Sequence, residues 1–482
     1  MGAGSASKKI RTSGGHVSVF LSHLVDILWG PTLLILLVGG GSLLFVYSRF
    51  LPFKGFGRAL TLIRGKFHHK GEEKAEGQIS HFQALMTAVA ATVGLGNIGG
   101  VAVAITQGGA GAIFWMWVAA LIGMNTKFFE CTLSVMYRGH DYKGEPQGGP
   151  MYVILNTFPK RFHFLAYLFA AFGLIGTLVL FQVNQLTAFF VHQFPWARLL
   201  KQPFLSDDGV LWGVRIFIGF LCAVVVGGTL RGGIRRVGQV AARLVPFMCV
   251  FYVLCCLLIL LTYHERVPEA FVSIFKKALN WEALWGGSLG AAFNEAFRMG
   301  VRRAAYSNEA GVGTAPMAHS NVKTNEPVSE GLVAMMGPFL DTIVVCTMTA
   351  LVILTSLSPA ERLGDSGVLM TVKAFEKTFS SFGVMFLGLS ILLFALSTMI
   401  GYSSYCEKCW NFLFKGRWGM TESTFIGFYS LTLMLGAIAS LNDVVNLLDS
   451  GFALMAYINM TVTLLLAPHV KRALVLYFKK YP

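Results

Sequence analysis

The chain has 482 residues, of which 55% are hydrophobic and 13% charged, and its mean hydropathy is +0.62. Soluble domains carry about 25% charged residues, so this composition excludes a water-facing surface over most of the chain. The net charge of +15 does not point to nucleic acid, because Lys and Arg sit in the gaps between long apolar runs.

Those runs recur at the length of roughly 20 residues that a helix needs to cross a bilayer. In chain order the pattern predicts spans at 27–49, 82–106, 110–136, 164–192, 211–230, 238–262, 281–301, 328–356, 383–404, 423–441 and 450–468. The expected fold class is an all-α polytopic membrane protein with about eleven transmembrane helices. The first run is too long for a signal-peptide core and lacks a small-residue cleavage site, so it is expected to remain as a helix. The start Met1-Gly2-Ala3-Gly4-Ser5-Ala6 lacks the Ser or Thr of a myristoylation signal. Basic residues gather at Lys54, Arg58, Arg64, Lys66, Lys70 and Lys74, at Arg231, Arg235 and Arg236, and at Lys471, Arg472, Lys479 and Lys480. By the positive-inside rule these outweigh Lys8, Lys9 and Arg11 and predict an outside N-terminus and a cytoplasmic C-terminus.

The second span holds the most informative segment, from Thr87 to Gly100, where glycines, threonines and Asn97 interrupt an apolar helix. Glycine loosens the backbone, and freed N–H and C=O groups at membrane depth need protein, ion or ligand as partners. Such interruptions point to a transporter's binding site. Leu95 and Gly96, at the N-terminus of the following half-helix, can offer N–H groups to a carboxylate. The carbonyls of Ala90 and Val93 face the other way toward a cation, and Thr92 and Asn97 add side-chain oxygens, the donors a hard cation prefers. Gly94-Leu95-Gly96-Asn97-Ile98-Gly99 also spells GxGxxG. A long apolar segment precedes it, however, and Ala119 and Ala120 stand where a dinucleotide site needs an acid. Gly96 and Gly100 further form a helix-packing GxxxG pair.

Beyond the first span, about ten helices divide into two sets of five, and an odd number per set inverts the second relative to the first. The expected organisation is an N-terminal segment with one extra helix and a basic loop (1–80), a first repeat (81–262), a second repeat (263–470) and a cytoplasmic tail (471–482). The second repeat opens with the glycine-rich Trp285-Gly286-Gly287-Ser288-Leu289-Gly290-Ala291-Ala292, expected to be the second broken helix.

Several other residues invite a role. Lys127 and Glu130 lie one helical turn apart in an apolar span and are expected to pair, as a static ion pair or a gate. Glu309 with Arg302 and Arg303 suggests a gate network. Asp341 reads as a buried acid that relays protons or caps a broken helix, and Asp341→Asn is expected to keep sodium-dependent uptake. Cys249, Cys255 and Cys256 read as small apolar fillers, and Cys406-Glu407-Lys408-Cys409 lacks the second pair a metal site needs.

Four stretches resemble the sodium:alanine (alanine/glycine:cation) symporter family of prokaryotes. They are Gly77-Gln78-Ile79-Ser80-His81-Phe82-Gln83-Ala84-Leu85 running into Val93-Gly94-Leu95-Gly96-Asn97; Gly111-Ala112-Ile113-Phe114-Trp115-Met116-Trp117 with Thr126-Lys127-Phe128; Gly148-Gly149-Pro150-Met151-Tyr152; and Ser307-Asn308-Glu309-Ala310-Gly311-Val312-Gly313-Thr314-Ala315-Pro316-Met317-Ala318-His319. The resemblance implies a leucine-transporter-type 5+5 inverted-repeat core in a bacterial or archaeal inner membrane, importing a small neutral amino acid such as alanine or glycine with sodium. It implies no cofactor beyond sodium as coupling ion, no enzymatic activity, and lipid as the surrounding partner. By the same resemblance Leu95 and Gly96 hold the substrate carboxylate, Gln182 meets the amino group or closes the pocket, and Gly287, Leu289 and Gly290 offer backbone groups. Sodium coordination pairs the Ala90 and Val93 carbonyls with Phe394, Ser397 and Thr398. Ser397 and Thr398 have a plainer reading as hydroxyls bonded back to their own helix. Leu180 and Phe181, where members commonly have Gly-Asn, and Asn125, Asn294 and Glu295 depart from the pattern and bear on pocket shape. The rival readings are a proton-coupled permease, with Asp341 or Glu309 titrating, a channel, and a membrane-embedded enzyme. The last finds no nucleophile elbow, cofactor motif or His-rich cluster, and His319 is isolated in the sequence.

Overall fold

A capping box starts the first informative helix: the Ser80 side chain accepts from the Gln83 N–H, and the Gln83 side chain returns to the Ser80 N–H. The computed structural model describes residues 16–65, 75–142, 144–194, 207–279, 287–362 and 367–481, with side chains described throughout except at 16–18, 207–208, 287–292 and 418. Apart from a two-stranded pairing of Gly139–His140 with Pro146–Gln147, the described elements are helices. Seven of them are long and apolar enough to cross a membrane, and two bent pairs bring the number to nine.

Helices α1 (His16–Leu28) and α2 (Pro31–Tyr47) form the first bent pair, at 41°, where a span over 27–49 was expected. Pro31 explains the break, since proline at the first turn starts a new helix and cannot continue the old one. After α3 (Leu51–Ile63) comes the second bent pair, α4 (His81–Thr92) and α5 (Gly96–Gly108), at 55°. Then follow α6 (Gly111–Met136), α7 (Pro150–Thr157), α8 (Phe164–Gly176) and α9 (Leu180–Gln193). The expected span at 164–192 is thus divided at Thr177, whose hydroxyl bonds the Gly173 carbonyl. The chain continues through α10 (Asp207–Leu230), α11 (Gly233–Thr262) and α12 (Val267–Ala278). It ends with α13 (Gly287–Asn308), α14 (Ala315–His319), α15 (Pro327–Ser356), α16 (Val368–Phe414), α17 (Glu422–Ile438) and α18 (Leu441–Lys480). Helix α16 reaches well beyond the expected 383–404 and bends at Ser380, which sits at φ 50°.

Helix α6 is the hub, packed against α13 and α15, while α4 and α11 both lie along α16. The α10 and α11 faces expose Phe217, Phe220, Leu221, Phe247, Leu254 and Leu258, the apolar belt expected toward lipid. Polar side chains are instead collected inside, at the two breaks.

Candidate substrate and cation site

The first break is built by one amide. In an unbroken helix the Gly94 N–H would bond the Ala90 carbonyl and the Asn97 N–H would bond the Val93 carbonyl. Here the Gly94 N–H bonds Asn97 Oδ1 at 2.9 Å, and the Asn97 N–H bonds the Gly94 carbonyl at 3.1 Å. The carbonyls of Ala90 and Val93 are thereby released from their helical partners. Leu95 and Gly96 stand at the first turn of α5, where N–H groups have no partner within the helix.

Helix α16 closes on the released carbonyls. Thr398 Oγ1 donates to the Val93 carbonyl at 3.4 Å, and Ser397 Oγ donates to the Phe394 carbonyl at 2.9 Å. The approach is close because Gly401 lies against the backbone of Ala90 and Ala91: a Cβ on it would fall 2.6 Å from the Ala91 nitrogen. The structure therefore brings Val93 and Thr398 together, with Ser397 and Phe394 on the same stretch of α16 and Gly401 against Ala90. All five residues are buried. Their donors are all oxygens, the set that suits a hard cation. Ser397 also makes the plain bond to its own helix.

On the other side of the break, the Tyr306 ring lies 3.7 Å from where a Gly96 Cβ would stand. Phe181 meets Tyr306 edge-on at 6.2 Å between centroids, Phe452 meets it at 5.7 Å, and Tyr402 stacks on Phe452 at 6.4 Å. Tyr306 thus lies against Gly96 and carries a cluster of three further rings, of which Phe181 is one of the departures noted above. Gln182, next to Phe181 on α9, is buried, with Oε1 free of any hydrogen-bond partner. Thr92 ends α4, its hydroxyl 3.5 Å from the Val89 carbonyl.

The second break, expected over Trp285–Ala292, begins outside the described residues. Residues 280–286 fall outside the described residues, and Gly287, Leu289 and Gly290 open α13 as helix. An interruption is seen at the other end of α13, between Asn308 and Ala315, where Glu309 sits at φ 55°, Gly311 at φ 88° and Gly313 at φ 91°. Left-handed φ is ordinary for glycine and uncommon for glutamate. Thr314 Oγ1 bonds Glu309 Oε2, which ties the loop to itself.

Asp341 joins the two breaks. Asn97 Nδ2 donates to its Oδ1 at 2.5 Å, while Ser307 Oγ and Thr342 Oγ1 each donate to Oδ2 at 2.7 Å. Asn308 Nδ2 reaches Thr342 Oγ1 at 3.1 Å. Asn97 is thus committed to holding the break and the acid. The α15 backbone adopts a π-helical stretch over Phe339–Cys346, a distortion frequent at functional sites.

Two expected pairings and one expected isolation are corrected. Lys127 and Glu130 make no ion pair among the described residues; Glu130 Oε2 accepts from Asn459 Nδ2 at 2.7 Å, a partner on distant α18. Arg302 pairs with Asp449 at 2.7 Å and not with Glu309. His319 is not isolated, since its Nδ1 lies 2.5 Å from Glu330 Oε1, while Glu330 Oε2 also holds His81. That carboxylate links the start of α4 to α14 and α15.

Two broken helices meeting at a buried, polar, oxygen-lined centre within an apolar helical bundle define a membrane transporter. The sequence profile of the sodium:alanine symporter family matches residues 15–481, and the chain belongs to that family. It is a cation-coupled amino-acid transporter and not an enzyme. The sodium/alanine symporter AgcS of Methanococcus maripaludis is 38% identical over 446 residues, 91% of this chain and 92% of that protein. The probable sodium/glutamine symporter GlnT of Bacillus subtilis is 32% identical, covering 94% of this chain and 90% of that one. The putative sodium/proton-dependent alanine carrier protein YrbD of Bacillus subtilis is 30% identical, covering 93% and 90%.

Proposed function

We propose that the protein imports a small neutral amino acid, alanine or glycine, together with sodium across the cytoplasmic membrane of a bacterium or archaeon. The N-terminus faces outward and the C-terminus the cytoplasm. The five-helix sets of 81–262 and 263–470 are the two repeats, and alternating access rocks one bundle against the other. The observation that carries this reading is the contact of the freed Val93 carbonyl with Thr398, across the break from the Gly96 N–H. Sodium sits among the oxygens of Ala90, Val93, Phe394, Ser397 and Thr398. The amino-acid carboxylate takes the N–H groups of Leu95 and Gly96, with Gln182 toward the amino group. Each sodium that enters draws about 2.3 kcal/mol per 100 mV of membrane potential, enough to concentrate a neutral solute.

The direct test is uptake of labelled alanine and glycine into proteoliposomes with and without an imposed sodium gradient. Accumulation is expected only with sodium. Uptake that survives replacement of sodium by choline at fixed pH, and follows a proton gradient, would transfer the coupling to the buried acids Asp341 or Glu309. Replacing Ser397 and Thr398 together by alanine removes two of the five oxygen donors. It is expected to raise the sodium concentration for half-maximal uptake at least about tenfold, the equivalent of about 1.4 kcal/mol. An unchanged sodium dependence at normal abundance removes both from the site.

Substrate size is set by the aromatic cluster on Tyr306. Tyr306→Leu opens space beside Gly96, and a pocket discriminates one methylene by about 1–3 kcal/mol. Valine is expected to compete with alanine in the variant and not in the parent, read by inhibition of labelled alanine uptake. Unchanged competition would place the side-chain pocket away from Tyr306.

A further inference from the structure

The first bent pair ends in an elbow whose chemistry the transport site does not use. Helix α2 stops at Tyr47, and Arg49 and Phe50 follow at φ 59° and 60° before α3 begins at Leu51 and Pro52. Two consecutive non-glycine residues in the left-handed region are uncommon and persist only where the surroundings hold them. Ser48 is the holding residue. Its hydroxyl donates to Asn125 Oδ1 at 2.8 Å and accepts the Leu51 N–H at 3.4 Å, and both Ser48 and Asn125 are buried. Asn125, one of the departures noted above, thereby fastens the elbow to α6. The turn leaves Arg49 and Phe50 exposed.

Lys471 of α18 comes to the same place. Its Nζ donates to the Tyr47 carbonyl at 2.9 Å and lies 5.6 Å from the centre of the Tyr47 ring. Arg49 and Lys54 are close enough to repel it. None of the three cations meets a carboxylate among the described residues. Glu326, the acid near the end of α18, is taken by Lys480 and the Tyr481 hydroxyl. Like charges gathered from three segments repel one another, and an anion placed among them reverses the sign of that interaction. Apolar surface runs away from the charges. Phe50 and Phe53 are exposed beside them, and Ile35, Gly39, Leu43 and Val46 form an exposed strip at helical spacing along α2. The strip rises about 16 Å, the depth of one leaflet of a hydrocarbon core roughly 30 Å thick.

We propose that this elbow binds one anionic phospholipid, with its phosphate among Arg49, Lys54 and Lys471 and an acyl chain along the α2 strip. The Arg49 guanidinium offers a planar pair of N–H donors to phosphate oxygens, and the two lysines act as point charges. A zwitterionic lipid carries the same phosphate but brings its own cation, which the three basic groups repel, so the site selects a net negative headgroup. The elbow lies on the face proposed above to be cytoplasmic, where basic groups next to a membrane helix attract anionic lipid. Through Ser48 and Asn125 the headgroup is connected to α6, the hub of the bundle.

The site is independent of what the protein carries, so its test does not use transport. Native mass spectrometry of the full-length protein in detergent counts bound dioleoyl phosphatidylglycerol and dioleoyl phosphatidylcholine, whose acyl chains are the same. The parent is expected to bind one phosphatidylglycerol at least about tenfold more tightly than phosphatidylcholine. Arg49→Gln/Lys54→Gln/Lys471→Gln is expected to bind the two alike. Arg231→Gln/Arg235→Gln/Arg236→Gln removes the same charge elsewhere and is expected to keep the preference. If the first triple variant does not fold, Lys54→Glu serves in its place, because Lys54 makes no hydrogen bond or ion pair among the described residues. Phosphatidylglycerol is also expected to raise the unfolding temperature of the parent and not of the elbow variant, as a ligand of the folded state does. Equal binding of both lipids by the parent overturns the proposal. So does an equal loss in the two triple variants, which would make the preference a matter of net charge. Displacement of phosphatidylglycerol by equimolar glycerol 3-phosphate would make the elbow a site for a soluble phosphate and overturns the lipid.

Discussion

Asn97→Ala is expected to abolish sodium-driven alanine uptake. The side chain is 0% exposed and its two ends do different things. Oδ1 accepts the Gly94 N–H, which holds the helix open, and Nδ2 donates to Asp341 and to Ser307 Oγ at 3.2 Å. Alanine leaves a buried backbone donor and a buried carboxylate oxygen each short of a partner, at about 1–3 kcal/mol apiece and more for the charged group. The cheapest repair is for Gly94 to bond Ala90 and for the helix to close. That repair consumes the carbonyl the cation needs and tucks away the N–H groups that face the carboxylate. Uptake at background with normal membrane abundance, together with loss of sodium-induced protection against thermal unfolding, is the expected pair of results. Near-normal uptake would mean the break is held by packing alone.

The first break was readable because four glycines and an asparagine inside an apolar run contradict a simple helix, and the structure interrupts the helix there. Of the second break expected at Trp285–Ala292, Trp285 and Gly286 lie outside the described residues, and Gly287–Ala292 are helical. The interruption between Asn308 and Ala315 is signalled by the pair Gly311 and Gly313 beside Glu309, residues that bear the left-handed conformations. Local spacing also misjudged the charges. Lys127 and Glu130 share a helix face, but Glu130 is held by Asn459 and Arg302 by Asp449, both from α18. Likewise His319 seemed alone until α4 and α15 brought His81 and Glu330 beside it. No local pattern encodes those contacts, because they depend on which helices become neighbours. Asp341 was visible as a buried acid, whereas its position between the two breaks required the fold.

Gly401→Ala carries the other large effect, and the reason is distance. A methyl group there would stand 2.6 Å from the Ala91 nitrogen, 2.9 Å from the Ala91 Cα and 3.1 Å from the Ala90 carbonyl carbon. These are backbone atoms and cannot rotate away, unlike Thr398 Oγ1, which is what a Cβ on Gly94 would meet at 2.4 Å. Helix α16 must therefore move off the break, and overpacking of this kind costs about 1–3 kcal/mol. The movement falls on the contact between Thr398 and the Val93 carbonyl, already 3.4 Å long. The sodium concentration for half-maximal uptake is expected to rise about tenfold or more, since about 1.4 kcal/mol is a factor of ten. Gly427→Ala on α17, where a Cβ meets nothing within 4 Å, is the matched control and is expected to behave as the parent. If both variants keep the parental sodium dependence, the close approach of α16 serves packing and not the ion. If Gly401→Ala alone weakens sodium while alanine still binds at saturating sodium, that glycine sets the spacing of the cation's oxygens.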